Sequence, residues 1–237
     1  MYEYLIGILI GFLVWLLIFY FRRDLRKAMI WTGFFYLIFT TLTFFLYILL
    51  ANYEIGVALP VVPSYWNPDT LFDLSRFFGL SLEDLLFMFF AGGVGAGIYE
   101  IVFKRKIKFK KRYKLHWGAL ITTFIVAMLF PFLKFNLMYS LIVPPVIGTL
   151  VMWYERKDLI KHSLKGGLAF LIFYILALLA FFFIFPDFVE KFYTLQGVSG
   201  ILVLGIPLEE FLYAFAFGLL WAPMYEYVHG EKEVRKK

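Results

Sequence analysis

Cysteine is missing from the sequence altogether, and histidine occurs only three times. The lack of cysteine excludes disulfide bonds, a thiolate nucleophile and a cysteine-ligated metal site. The three histidines, His116, His162 and His229, are scattered along the chain, in or beside different basic segments. We therefore predict no histidine-based metal site and no metal ion.

Charged side chains are scarce where the chain is most apolar. None of its long apolar runs carries Asp, Glu, Lys, Arg or His near the middle. Ion pumps and proton-coupled transporters usually keep an ionisable residue at this depth, and a retinal protein needs a lysine inside a helix. The scarcity of charge argues against these classes and favours an apolar ligand or no ligand.

Apolar and aromatic side chains, in contrast, are abundant. Hydrophobic residues make up 62% and aromatic residues 22% of the 237 residues, and the mean hydropathy is +0.81. Soluble domains are roughly 45 to 50% apolar, so we predict an integral membrane protein. Seven runs are long enough to cross about 30 Å of hydrocarbon as helices. They comprise residues 4–21, 28–51, 85–103, 115–132, 137–154, 166–185 and 211–228.

The basic residues predict the orientation of these spans. Of the 23 Lys and Arg residues, 20 lie in four segments, residues 22–27, 104–114, 156–165 and 232–237. These segments alternate along the chain with connecting segments that contain few Lys or Arg residues, as seven spans require. The positive-inside rule therefore predicts an outer N-terminus and a cytoplasmic C-terminus. The net charge of +6 is explained by this topology and does not indicate binding to nucleic acid.

An internal duplication predicts the architecture. Residues 79–102 and 205–228 align without a gap and have identical residues at 10 of 24 positions. The identities include Glu83 with Glu209 and Gly92 with Gly218. Two such copies separated by one connecting span point the same way across a membrane. We predict an all-α integral membrane protein with seven transmembrane helices, arranged as two parallel three-helix repeats (1–112 and 137–237) and a connector helix (113–136).

Each copy of the repeat begins with two adjacent acids, Glu83 and Asp84 in the first and Glu209 and Glu210 in the second. Acids at a helix start are stabilised by about 0.3 to 1 kcal/mol through the helix dipole, so a capping role explains one copy. Adjacent helical residues point about 100° apart, so one acid can cap while its neighbour faces the bundle. A carboxyl group at this depth can also act as a proton donor, and both interpretations stay open.

Small residues dominate one stretch of the third span, AGGVGAG at residues 91–97. A dinucleotide-binding loop is excluded, because the required glycine spacing fails at Ile98 and no strand precedes it. Small residues four positions apart instead predict a surface on which helices pack closely.

Three Tyr-Glu pairs end predicted spans on the cytoplasmic side. Their glutamates are Glu100, Glu155 and Glu226. Tyrosine is enriched at the boundary between membrane and water. We therefore predict that these pairs anchor the helix ends at that interface.

The acidic motifs, with Trp66-Asn-Pro-Asp69 ahead of the first, resemble those of the membrane-embedded, flavin-independent lycopene cyclase domain family. In that family the motif reads Pro-x-Glu-Glu or Pro-x-Glu-Asp, and its carboxylates are the presumed catalytic groups. The second copy matches fully from Pro207, whereas Ser81 replaces the proline in the first. The resemblance covers both repeats and implies the fused form of the enzyme, with no cofactor.

The resemblance implies a cyclisation without net redox change, in which acids protonate and deprotonate a linear carotenoid. The catalytic residues implied are Glu209, Glu210, Glu83 and Asp84, with Glu209 as the favoured proton donor and Glu83 second. The expected partners are an apolar polyene drawn from the bilayer, the lipid itself, and a second copy of the chain or other carotenoid-pathway enzymes. Some of the many aromatic rings can line a substrate tunnel and stabilise a carbocation, although others suit lipid contact and the membrane interface.

Two other functional classes remain open on the sequence. Small-solute transporters also use parallel repeats of three spans around a connector, but hydrogen-bonding residues near the predicted midplane are few. A non-catalytic assembly protein in which the acids only cap helices is the other alternative. A cap alone requires no second carboxylate, which favours the enzyme.

Overall fold

The computed structural model describes residues 2–52, 65–108, 115–133, 136–230 and 232–234, and they are mostly helical. The α-helices are α1 (Glu3–Phe21), α2 (Arg26–Asn52), α3 (Leu74–Phe78), α4 (Leu82–Val102), α5 (Gly118–Leu129), α6 (Val143–Glu155), α7 (Ile160–Ile184), α8 (Phe188–Phe192), α9 (Leu208–Trp221) and α10 (Met224–His229). Short 3-10 helices cover Leu71–Asp73, Phe130–Phe132, Leu137–Leu141 and Lys157–Leu159. Two antiparallel strand pairs join β1 (Lys106–Lys108) to β4 (Lys232–Val234) and β2 (Leu202–Val203) to β3 (Ile206–Pro207).

Four helical stretches are long and apolar enough to cross a membrane. They are Glu3–Phe21, Arg26–Leu50, Leu82–Val102 and Lys157–Ile184, and they correspond to the first, second, third and sixth predicted spans. Most of the first, second and fourth of these stretches is not buried in the isolated chain, as expected for helices that face lipid, whereas more than half of Leu82–Val102 is buried inside the bundle. These helices are compatible with the predicted membrane location.

Proline makes the other three predicted spans shorter or broken. Helix α5 ends at Leu129, just before Pro131, and α6 begins only at Val143, with prolines in its first turn. The run 211–228 is not one helix, because α9 stops at Trp221 and α10 starts after Pro223. Proline lacks the backbone N–H that a helix interior needs. The described residues therefore do not form seven single helices of the predicted length, and the predicted seven-helix arrangement is not confirmed.

The two halves of the chain pack their helices in the same pattern. Helix α4 packs against α1 and α2, and α9 packs against α6 and α7, while α5 contacts both α6 and α2. A Cβ added at Gly92 would lie 3.1 Å from Cα of Gly33, and one at Gly218 would lie 2.9 Å from Cα of Gly167. The predicted close packing through small residues is thus confirmed, and it occurs at matching places in both halves.

A second pair of matching contacts secures the ends of α4 and α10. Arg22 donates a hydrogen bond to the carbonyl oxygen of Glu100 at 3.1 Å and pairs with Asp24 at 2.9 Å. Arg156 likewise donates to the carbonyl oxygen of Glu226 at 3.4 Å and pairs with Asp158 at 2.9 Å. Both arginines belong to an Arg-x-Asp-Leu sequence. This second repeated motif was present in the sequence but was missed.

At the opposite end of the bundle, the segments that follow α2 and α8 bond to each other. Trp66 and Tyr193 form an antiparallel bridge, the N–H of Asn67 donates to the carbonyl oxygen of Phe192, and that of Thr194 donates to the carbonyl oxygen of Tyr65. Helices α4 and α9 both begin beside these bonded segments. The two acidic motifs therefore lie at the same end of the molecule.

Candidate active site

The first acidic motif starts α4 with a reciprocal cap. The Ser81 hydroxyl accepts a hydrogen bond from the backbone N–H of Asp84 at 3.1 Å, and the Asp84 carboxylate accepts bonds from the Ser81 N–H and hydroxyl at 2.9 and 2.7 Å. This capping box stabilises the first turn by satisfying backbone donors that have no partner inside the helix. Ser81 is the N-cap of α4.

The second motif starts α9 without such a cap. Pro207 occupies the N-cap position itself, one residue before the helix, and offers no side-chain hydrogen bond. Its place is set by the short pairing of β3 with β2. Glu210, three residues later, is therefore not needed for capping, although Asp84 at the corresponding position is.

The first acid of each pair binds the backbone of the segment that covers its end of the bundle. One oxygen of Glu83 accepts the N–H of Leu71 at 2.8 Å, and one oxygen of Glu209 accepts the N–H of Ser199 at 2.8 Å. Glu209 also accepts a hydrogen bond from the Tyr139 hydroxyl, at 3.4 Å. Both carboxyl groups are 1% exposed. Their second oxygens have no hydrogen-bond partner among the described residues. These two acids order the covering segments over the site.

The second acid of each pair has closer tyrosine partners. Glu210 accepts hydrogen bonds from Tyr65 at 2.9 Å and Tyr174 at 2.6 Å, one on each oxygen, and the Tyr193 phenol lies close by. Asp84 accepts a hydrogen bond from Tyr4 at 2.6 Å. Every phenol that holds Glu210 can both donate and accept a hydrogen bond.

Burial raises the pKa of the Tyr65 phenol, and the nearby Glu210 carboxyl raises it further. The same two causes raise the pKa of Tyr193. Both side chains lie in the segments between the long helices. They therefore stay protonated at neutral pH and remain available as hydrogen-bond donors to the carboxyl group.

A large apolar cavity of about 950 Å³ extends from these acids into the bundle. Asp84 and Glu210 belong to its lining, whereas Glu83 and Glu209 do not. Helices from both halves of the chain contribute to the wall. The aromatic members of the lining include Tyr4, Tyr36, Phe39, Tyr65, Trp66, Phe87, Phe170, Phe173, Tyr174, Phe181, Tyr193, Tyr213, Phe217 and Trp221.

A row of aromatic rings joins the two cavity-lining acids. Tyr4, which bonds Asp84, packs edge-on against Trp66 with ring centroids 5.2 Å apart. Trp66 packs on Tyr193 at 4.7 Å, and Tyr193 packs on Tyr65 at 5.4 Å. Asp84 and Glu210 thus share one cavity and one wall of packed aromatic rings.

The two acidic motifs and their helices lie in the parts of the chain that match a known family. The lycopene cyclase family model matches residues 2–102 and 136–228. The chain belongs to the lycopene cyclase family. No curated protein and no solved structure matches the chain.

Membership of the lycopene cyclase family supports a cyclase role and links the chain to carotenoid biosynthesis. All four acids predicted from the sequence lie in the matched stretches. The tyrosines that hold two of them were not predicted. They come from four separate segments, so no local spacing in the sequence relates them to an acid. Only the fold brings them together.

Proposed function

We propose that this lycopene cyclase family member closes a β-ionone-type ring on the end of a linear carotenoid. The observation that carries the proposal is the position of Asp84 and Glu210, which are repeat-equivalent acids on the wall of a single apolar cavity. An acid and a base on one dry cavity are what an isomerisation through a carbocation requires.

Glu210 is the proposed proton donor. All of its described hydrogen-bond partners are phenols, and a phenol can reverse its hydrogen bond to accommodate a carboxylic acid. Asp84 accepts bonds from the Ser81 backbone N–H and hydroxyl, and a backbone N–H can only donate. Asp84 is therefore better suited to remain a carboxylate and to act as the base.

The proposed reaction is an isomerisation. Glu210 protonates the terminal double bond of the polyene, which leaves a tertiary carbocation. The neighbouring double bond attacks this cation and forms the carbon–carbon bond that closes the ring. This attack leaves a second tertiary cation, now within the ring. Asp84 removes a proton from the adjacent ring carbon, and the electrons of the broken C–H bond form the ring double bond. The atoms and electrons balance without an oxidant or reductant, so the chemistry needs no redox cofactor.

The aromatic wall has two parts in this scheme. It excludes water, which would otherwise capture the cation. Its rings can also stabilise the cation by about 2 kcal/mol or more where they are desolvated. Tyr36, Phe217 and Trp221 lie next to one another on this wall, with ring centroids 4.9 to 5.5 Å apart. We assign them this role.

The predicted topology belongs to the same proposal. The matching packing of α1, α2 and α4 with α6, α7 and α9 supports two parallel repeats with α5 as the connector. With the charge distribution, it supports an active site near the outer face and a cytoplasmic C-terminus. The polyene is proposed to enter from the bilayer.

The proposal is tested by expressing the chain in cells that accumulate lycopene and by identifying the pigments. We expect cyclic carotenoids. Isolated membranes incubated with lycopene in D₂O should yield a product with a single non-exchangeable deuterium on each ring, at the carbon beside the quaternary centre. Unchanged lycopene would contradict the cyclase function, and rings without deuterium would contradict proton transfer from an exchangeable acid.

A further inference from the structure

A second group of ionisable side chains lies at the opposite end of the bundle from the cavity acids. Glu100, His162 and Glu226 are 1%, 4% and 2% exposed. One ring nitrogen of His162 lies 3.2 Å from a carboxylate oxygen of Glu226, and the other lies 3.7 Å from one of Glu100. Each residue can offer one donor atom such that all three atoms lie within 4.8 Å of one another.

This arrangement overturns the prediction that Glu100 and Glu226 belong to interfacial anchors. Both side chains are buried, and so are Tyr99 and Tyr225 beside them. Tyr154 is 83% exposed, so anchoring remains a suitable role for that pair alone. The three histidines are indeed separate, but two glutamates accompany one of them, which a search for histidine alone does not detect.

The two glutamates are equivalent positions of the duplication, and they meet at the boundary between its halves. Glu100 lies near the end of α4, whereas Glu226 lies on α10 and His162 on α7. Tyr99 stacks on the imidazole of His162 with ring centroids 3.9 Å apart. The cluster is therefore closed off from water and built from both halves of the chain.

Two arginines lie beside the cluster and contribute positive charge to its surroundings. The two neighbouring arginines, Arg22 and Arg156, each donate to the carbonyl oxygen of a cluster glutamate and pair with Asp24 and Asp158. One carboxylate oxygen of Glu226 has no hydrogen-bond partner among the described residues. Burial of two carboxylates beside one imidazole is costly unless cations lie close to them, and a bound metal ion is one such cation.

We propose that Glu100, His162 and Glu226 bind a divalent first-row transition metal. One metal ion binds only one of the two ring nitrogens of His162, and one donor atom from each residue can be chosen so that all three lie within 4.8 Å of one another. Zinc bonds of 2.0 to 2.2 Å to nitrogen and oxygen put neighbouring donors about 3 to 4 Å apart, so small side-chain shifts bring the three donors onto one ion. Imidazole with carboxylate is a donor set that suits Zn²⁺ or Mn²⁺. The metal links α4 of one half to α7 and α10 of the other. This site is separate from the proposed catalytic cavity.

The test uses the full-length chain purified in detergent. Elemental analysis of the purified protein should find a transition metal near one per chain. After treatment with a chelator, Zn²⁺ or Mn²⁺ should bind at that stoichiometry and raise the midpoint of thermal unfolding, whereas Mg²⁺ should not. Glu226→Gln and Glu100→Gln should each weaken Zn²⁺ binding by at least about tenfold, as loss of a metal-site partner typically does.

Glu155→Gln is the matched control. Glu155 lies at the same end of the bundle, ends α6 and accepts a hydrogen bond from Tyr227 at 2.5 Å, but it is exposed and outside the cluster. Its substitution should leave Zn²⁺ affinity unchanged. Wild-type protein that contains no transition metal and takes up no Zn²⁺ would overturn the proposal. So would an equal loss of affinity in the control, because the binding would then be a general effect of negative charge.

Discussion

The two acidic motifs have a common origin in the duplication, but their second acids have different surroundings. Asp84 shares its carboxylate between a capping box at Ser81 and one tyrosine. Glu210 is free of capping, because Pro207 stands where the serine does, and it is held by phenols alone. The comparison teaches that a single residue at the N-cap determines whether the acid three positions later is structural or is left for chemistry.

The first acids of the two motifs have remained alike. Glu83 and Glu209 each use one oxygen to bind a backbone N–H of a covering segment. A function shared by both copies points to a structural requirement of both halves. The difference between the motifs is therefore concentrated in the second acids, where we place the donor and the base.

The largest effect should come from Glu210→Gln. Glutamine keeps the size of the side chain and can still bond the tyrosines, but it cannot donate the proton. We expect ring formation to fall by about 10²-fold or more, which is the usual contribution of general acid catalysis. The rate of cyclic carotenoid formation in isolated membranes, normalised to the amount of folded protein, is the measurement.

Glu209→Gln is the neighbouring control and decides between the two donor assignments. The amide oxygen of glutamine can still accept the N–H of Ser199, so we expect activity within about tenfold of the wild type. If Glu209→Gln abolishes cyclisation while Glu210→Gln does not, the donor favoured from the sequence is the correct one. The proposal for Glu210 would then be refuted.

The sequence predicts the parts of this site that depend on short-range patterns. The adjacent acids predict the starts of two helices, the duplication predicts that both acidic motifs lie at one end, and the glycine spacing predicts close helix packing. The breaks in the helices at Pro131 and Pro223 were also readable from the sequence, but the length of the apolar runs obscured them. A proline does not interrupt an apolar run, but it removes the backbone N–H that a helix interior needs. The length of an apolar run therefore does not show where a helix breaks.

The tyrosine partners of Glu210 could not be predicted, because their positions depend on tertiary packing. Tyr65 and Tyr193 lie in the segments that bond to each other, and Tyr174 lies within α7. The burial of Glu100 and Glu226 was missed for a related reason. Basic segments follow both residues in the sequence, which suggested an interface, whereas the fold turns them toward His162.

A moderate effect is expected from removing one phenol from Glu210. Tyr174→Phe deletes the hydrogen bond of 2.6 Å to this acid, which is shorter than the bond from Tyr65, and leaves the ring. We expect the rate of cyclisation to fall about tenfold, which corresponds to about 1.4 kcal/mol. The same assay of isolated membranes measures it.

Tyr213→Phe is the matched control for that substitution. Tyr213 also lines the cavity, but its hydroxyl bonds Tyr36 at 3.2 Å and no acid. The Tyr213→Phe variant should retain most of the cyclisation activity. Equal losses in the two variants would show that cavity polarity matters and that the bond to Glu210 does not.

A smaller effect should follow from making the second motif resemble the first. Pro207→Ser places an N-cap serine three residues before Glu210, which completes the sequence of a capping box. We expect Glu210 to turn partly toward the cap, so that α9 is stabilised by about 1 kcal/mol while cyclisation slows by a few fold. The two measurements are resistance to unfolding in mixed detergent micelles and the cyclisation rate. A variant with unchanged stability and an unchanged rate would contradict the role assigned to the N-cap.

The smallest effect on activity should come from Ser81→Ala, which removes the cap of the first motif. The helix loses the bond between the serine hydroxyl and the Asp84 N–H, which costs about 1 kcal/mol of stability. The N–H of residue 81 and Tyr4 still hold the Asp84 carboxylate, so the base stays in place. We expect a lower resistance to unfolding with cyclisation nearly unchanged. A large loss of activity at unchanged stability would mean that the serine hydroxyl takes part in proton transfer, and the separation between capping and chemistry in this motif would not hold.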